Sequence, residues 1–215
     1  MRIGVFGTGM VGDALSKALS KHDHEVTVGA RSSDSESLQR FADEGLLTGS
    51  FADAAITSEL VVNATNGNFS AEAVASAAAE LDGKTLIDLS NRLDHSKGMA
   101  GAAQASNANS VAAEIQAAAP GANVVKALNT MNCNIMVDPS LVPGDHLVFM
   151  SGDSADAKAQ TAALLAEFGW RESQIMDLGG LETATGPEML MQLWLDVAIA
   201  RGGFDAGPFN FAVNS

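Results

Sequence analysis

An α/β fold built on a doubly wound, mostly parallel sheet with a small C-terminal helical extension is what this sequence predicts, on three observations. Apolar runs of strand length alternate with helical patterns along residues 1–128, as parallel strands joined by crossover helices require. The first run ends in a glycine turn, GTGMVG. Neither an internal repeat nor a linker setting off a second full domain interrupts the 215 residues, so 1–215 is expected to be one domain, with about 138–215 as its extension.

The first unit carries most of the information. Residues 3–6 read as a buried strand, and Gly7, Thr8, Gly9, Met10, Val11 and Gly12 follow. In a Rossmann unit the first glycine permits the tight turn, the second lets the backbone approach a pyrophosphate, and the third lets the helix pack closely on the sheet. The helix N-terminus then offers free N–H groups to an anion. Val11, Leu15, Ala18 and Leu19 give that helix one apolar face. Glycine spacing alone is a weak signal, but the strand before it, the helix after it and the next strand, ending near Val28, supply the context it needs. The bland alternative is a glycine-rich turn that binds nothing.

The second strand selects the dinucleotide. NAD-binding units place an acidic residue about 20 positions beyond the turn, on the adenine ribose, whereas a nearby arginine accommodates a 2′-phosphate. Here that position falls near Ala30, followed by Arg31, Ser32 and Ser33, so NADP is favoured over NAD. If Asp34 or Glu36 meets the ribose instead, Arg31 is a solvated loop residue. The net charge is −14, with only 12 Lys and Arg residues and no basic cluster, which argues against nucleic acid as a partner. An anionic cofactor must then be held by backbone N–H groups and a few basic side chains.

Further along, 32–36 reads as a helix start with Leu38, Phe41 and Ala42 as its apolar face, 46–47 as a short strand, and 51–56 as a brief helix. A buried strand over 60–64 has a polar end, placing Asn63, Ala64 and Thr65 where ligands bind outside the carboxyl ends of parallel strands. The run 70–81 is a helix and 85–89 (TLIDL) a strand, with Ser90, Asn91 and Arg92 at its exit. Residues 93–107 have no clear period and read as a long loop, either functional or a plain connection. A helix over 110–119 and a strand over 123–128 follow, and then the polar exit 129–134. Beyond the 138–145 loop come a strand (146–150), a helix (154–168, with Ala157, Thr161, Leu164 and Phe168 inward) and a strand (174–178). A last helix opens at Pro187, with Leu190, Leu193, Trp194 and Val197 as a buried stripe, either core or a homodimer face. The tail 204–213 returns as a strand or a clasp.

Composition bounds the setting. The hydrophobic fraction of 47% supports a substantial core. The apolar runs are short, and the N-terminal one stops at Gly7, so neither a signal peptide nor a membrane span is expected. Cys133, the single cysteine, permits no internal disulfide, and zinc-ligand spacings are absent, so no metal site is expected. A cytoplasmic location fits.

Several stretches together resemble the F420-dependent NADP oxidoreductase family: GTGMVG with VGARS, LIDLSN, VVKALNT, GDSADAKAQTAALLAEFGW, DLGGLETATGPEMLMQLWL and FNFAV, in the family's order. The resemblance implies a Rossmann-type domain whose C-terminal extension packs against it, with a deazaflavin lying against the nicotinamide in the cleft between them and hydride passing directly between the rings. It places Gly7 to Gly12 on the pyrophosphate, Arg31 and Ser32 on the 2′-phosphate, and Asn63, Ala64, Thr65 and Asn91 on the nicotinamide side. Ala30-Arg31-Ser32 departs from the family's Ser-Arg-Arg or Ser-Arg-Asn, which implies one phosphate contact fewer, and Arg92 replaces the proline of Asn-Pro. Beyond Arg31, the basic side chains near the expected cleft are Arg92, Lys97 and Lys126.

Hydride transfer between aligned rings depends on positioning, so no triad is required and no catalytic residue is assigned. His95 and His146 read as ordinary surface or hydrogen-bonded histidines before they read as proton donors, and Cys133 as a small buried filler. Lys126 reads either as a structural lysine reaching a carboxylate or as a substrate anchor. The expected activity is hydride transfer between NADPH and F420, a flavin or a related planar acceptor. Reduction of a small imine or carbonyl compound and a non-catalytic NADP(H)-binding sensor are the alternatives.

Overall fold

The computed structural model describes residues 1–94, 96, 98, 102, 103 and 109–213. His95 and Lys97, and most of the expected 93–107 loop, lie outside these residues. Among the described residues one eight-stranded sheet runs in the order β3-β2-β1-β4-β5-β6-β7-β8. Strand β1 (Arg2–Phe6) pairs in parallel with β2 (Glu25–Ala30) and β4 (Leu60–Asn63), and β2 with β3 (Leu47–Ser50). On the other side β5 (Thr85–Asp88) and β6 (Asn123–Ala127) continue the parallel set.

Alternation along the strands feeds two helical layers. Ile3, Val5, Val26, Val28 and Val62 pack against α1 (Met10–Lys21) and α7 (Ala155–Glu167) through Leu15, Leu19, Leu164 and Leu165. Phe6, Val61, Leu86 and Val124 face α3 (Phe51–Thr57), α4 (Ser70–Ala75) and α5 (Val111–Ala118). This is the doubly wound, Rossmann-like arrangement that the alternating pattern predicts.

The sheet reverses once. β7 (Val148–Gly152) runs antiparallel to β6, and β8 (Ile175–Asp177) runs parallel to β7. The connection from β6 holds only α6 (Cys133–Val137) and a tight turn at Pro139–Leu141. Among the described residues no helix long enough to span the sheet crosses back between β6 and β7, and β7 starts at the edge where β6 ended. The polar exit at 129–134 therefore contains the start of a short helix, capped by the Asn132 side chain on the Asn134 N–H.

Two helices differ from their periodicity. α4 stops at Ala75 rather than continuing through 70–81, and Ala77, Ala78 and Glu80 bond three residues back instead of four. The Ser76 hydroxyl donates to the Ala73 carbonyl at 2.7 Å and competes with the helical ladder. α8 (Thr185–Ala200) buries Pro187, Met191, Trp194, Leu195 and Ala198, while Leu193 is 51% exposed. The expected stripe through Leu190, Leu193 and Val197 is thus rotated.

The cause is Glu188. Lys126 is completely buried, and its ammonium lies 2.9 Å from Asp88 Oδ2 and 2.9 Å from Glu188 Oε1. It also donates to the Ser90 carbonyl, so its three donors have three acceptors. Glu188 in turn accepts the N–H groups of Val111 at 2.7 Å and Ala112 at 3.1 Å, in the first turn of α5, where the helix dipole favours an anion. Holding Glu188 inward fixes the rotation of α8 and carries Met191 and Leu195 inward with it. The tail follows as a clasp and not a strand: Leu147 N–H donates to the Phe211 carbonyl at 2.9 Å, and Phe209 stacks on Trp194 at 5.3 Å.

Lys126→Ala leaves two carboxylates buried without their cation and is expected to cost about 3–5 kcal/mol of stability in denaturant unfolding. Leu193→Gln, on the exposed face of α8, should change stability by less than about 0.5 kcal/mol; the reverse ranking would refute the rotation.

Candidate functional site

The β1–α1 turn is shaped by what a side chain would meet there. Gly7 has φ +112°, and a Cβ would lie 2.8 Å from the Ala64 carbonyl oxygen. A Cβ on Gly12 would come within 2.0 Å of the Gly7 oxygen, so strand and helix close on each other only through glycine. Gly9 is different: a Cβ there meets nothing within 4 Å. It is the N-cap of α1, no side chain caps that helix, and the next residue, Met10, is 82% exposed. The N–H groups of the first turn therefore border open space that a pyrophosphate fits.

From this turn a cleft of about 440 Å³ runs to the β2 exit, lined by Thr8, Ala30, Arg31, Ser35 and Ser37 on that side and by Ala64 and Thr65 on the other. Val11 supports the turn from α1, packed against the core. Ser32 donates to Asp34, and Ser35 and Ser37, hydroxyls 2.9 Å apart, line the cleft.

Asn63 is fully buried, with both ends of its amide engaged. Its Nδ2 donates to Asp88 Oδ1 at 2.8 Å, and its Oδ1 accepts the Thr65 hydroxyl at 2.7 Å. What Asn63 gives the cleft is the position of Thr65. Asn91 and Asn129 bind reciprocally: Asn91 Nδ2 donates to the Asn129 carbonyl at 2.8 Å, and Asn129 Nδ2 donates to Asn91 Oδ1 at 2.9 Å and to the Pro187 carbonyl at 3.0 Å. Leu128 adopts φ 62°, a conformation costly for a leucine, immediately before Asn129. The exits of β5 and β6 and the start of α8 are thereby locked together.

A second cleft, of about 300 Å³, opens where β6 leads into α6. Its walls include Asn132, Asn134, Trp194, Asp205 and Phe209. Trp194 and Phe209 are stacked with an interplanar angle of 16°, and the Arg201 guanidinium lies over Phe209, 4.7 Å from the ring centroid.

Of the basic residues read from sequence, Arg31 lines the first cleft. Lys126 is the structural lysine, buried beneath the edge, and Arg92 is paired with Glu114. Two further arginines touch lining residues: Arg40 donates to the carbonyl of Thr8, 32 residues away in sequence, and Arg201 lies over the Phe209 ring. His146 donates to the Pro139 carbonyl at 2.9 Å and accepts from Asn210 at 3.0 Å, which spends both ring nitrogens on structure. Burial pushes the Cys133 thiol above its ordinary pKa, as suits a filler and not a nucleophile. Among the described residues no group of three or more His, Cys, Asp or Glu could hold a metal, and no helix is long and apolar enough to cross a membrane.

Fold and turn define a Rossmann-type dinucleotide-binding architecture. The family described as NADP oxidoreductase, coenzyme F420-dependent, matches residues 2–92. A crystal structure from Arthrobacter sp. FB24, of a protein provisionally described as an F420-dependent NADP reductase, is 40% identical over 99% of both chains, with a TM-score of 0.89. The chain belongs to this family and is an NADP-dependent oxidoreductase. At fold level it is also similar to a hypothetical protein from Sinorhizobium meliloti (21% identity, 99% and 96% coverage, TM-score 0.66). An imine reductase from Myxococcus stipitatus in complex with NADP⁺ shares the fold too (19% identity, 93% of this chain and 62% of that one, TM-score 0.65). No curated protein matches the sequence.

The two glycines make separable predictions. Gly9→Ala should fold with unchanged stability yet weaken NADPH in an equilibrium titration, because its methyl enters only the ligand's space. Gly12→Ala should lower the melting temperature by itself, since its methyl meets the Gly7 carbonyl.

Proposed function

We propose that the protein exchanges hydride between NADPH and the deazaflavin F420, with Gly7, Thr8, Gly9, Met10, Val11 and Gly12 around the pyrophosphate and Arg31 on the 2′-phosphate. Ala64, Thr65 and Asn91 border the nicotinamide side, and Asn63 holds Thr65. Ser35 and Ser37 take the place of Ser32 beside the phosphate. Bound NADPH supplies the hydride; the chain's own residues bind, orient and exclude water.

The observation that carries the reading is the pair of clefts on one carboxyl edge of the sheet, one ending at Arg31 and one walled by Trp194 and Phe209. A flat aromatic stack suits a planar acceptor, and Arg201 beside it supplies a cation for the phosphate that F420 carries. Residues 138–213 serve as the extension that builds the second wall. Kinship with the Arthrobacter protein points the same way.

A second reading has its own observation. The second cleft is small, about 300 Å³, and the charged side chain on its lining is Asp205, which suits a compact cationic iminium.

Mixing the protein with NADPH and either F420 or a cyclic imine, and following the reduced nicotinamide band, separates the two. Oxidation with F420 alone is expected, and Arg201→Gln should raise the KM for F420 severalfold while leaving that for NADPH unchanged. Oxidation by the imine alone would establish the second reading, and binding without turnover by either compound would refute both.

A further inference from the structure

The β2 exit offers one arginine to a phosphate group that carries about two negative charges and three acceptor oxygens. In a chain of net charge −14 that is a thin provision. A second guanidinium, however, is bonded to a residue of the same cleft. Arg40, in the short helix α2 (Gln39–Asp43), donates through Nη2 to the carbonyl of Thr8, and Thr8 lines the cleft with Arg31. Its guanidinium carbon lies 4.7 Å from the Phe41 ring centroid, so one face is supported by an aromatic surface. The side chain is 50% exposed, and its carboxylate neighbour, Asp13, is 3.9 Å away, beyond hydrogen-bond length. Of the five N–H donors of a guanidinium, the bond to Thr8 uses one.

We infer that Arg40, reaching the cleft at Thr8, is a second cation beside Arg31 for the adenosine 2′-phosphate and makes NADP(H) preferred over NAD(H). This rests on the NADP(H) reading of that cleft. Ser35 and Ser37 lie between the two arginines in sequence and line the same cleft, offering hydroxyl donors to the same oxygens. Charge-assisted bonds to phosphate are the strong class, and an arginine matches a phosphate's geometry better than a lysine does. Arg40 thus supplies the contact that the Ala30-Arg31-Ser32 exit lacks.

The rival role is purely structural, with Arg40 only pinning the Thr8 carbonyl and the shape of the turn. That role would affect both dinucleotides alike, because the turn serves the pyrophosphate they share. The test is therefore a comparison: equilibrium titration of wild type, Arg40→Gln, Arg40→Lys and Arg31→Gln with NADPH and with NADH, each variant also checked by thermal melting. Arg40→Gln is expected to weaken NADPH about tenfold or more while changing NADH less than about twofold. Arg40→Lys should recover part of the loss, and Arg31→Gln should show the same selective pattern. Equal weakening of NADPH and NADH by Arg40→Gln, or an unchanged NADPH affinity, would overturn the inference. The readout is equilibrium binding, so it is independent of which acceptor takes the hydride.

Discussion

One buried ammonium organises the carboxyl edge of this sheet. Lys126 has no contact with water, and it is stable there because Asp88, Glu188 and the Ser90 carbonyl surround it. Charges of this kind are expensive to bury and cheap to keep only when every partner is in place. The arrangement therefore acts as a constraint: β4, β5, β6, α5 and α8 can meet only in the geometry that completes it. Through Asp88 it reaches Asn63, and through Asn63 it sets Thr65, a residue that lines the first cleft. Through Glu188 it sets the rotation of α8, and with it the place of Trp194 in the second.

The two clefts are thus positioned by a common device although different parts of the chain build them. The first belongs to the parallel half, where glycine contacts bring strand, turn and helix close together. The second arises because the sheet reverses at β7, which leaves the β6–β7 connection at the ligand edge and lets the C-terminal segment return against it. Asn91 and Asn129 fasten the two halves where they adjoin.

Much of this was legible in the sequence where the cause is local. The glycine turn, the alternation of strands and helices and the inward face of α7 all depend on residues a few positions apart. What could not be read depends on contacts between distant residues. The rotation of α8 follows from an ion pair between residues 126 and 188, which outweighs the apolar periodicity through Leu193. Asn63 looked like a ligand residue because it ends a strand at the correct edge, yet its amide is spent on Asp88 and Thr65. Arg92, near in sequence to the expected site, is taken up by Glu114, whereas Arg40 and Arg201 touch the cleft residues Thr8 and Phe209 through contacts that their local sequence does not signal. The short α4 shows the same limit at closer range, since one serine hydroxyl ends a run that composition alone would extend.

The C-terminal clasp adds a dynamic consequence. Phe209 is held by stacking on Trp194, by the Phe211 bond to Leu147 and by Asn210, which reaches the Leu147 carbonyl and His146. Gly202, Gly203 and Gly207, at φ values of 100°, 95° and 88°, flank the turn that leads into it. Such a segment closes a long loop for few backbone bonds, so its free energy of opening lies well below that of the sheet. Opening of the clasp is therefore expected to precede unfolding of the sheet, with the buried charges beneath it still paired.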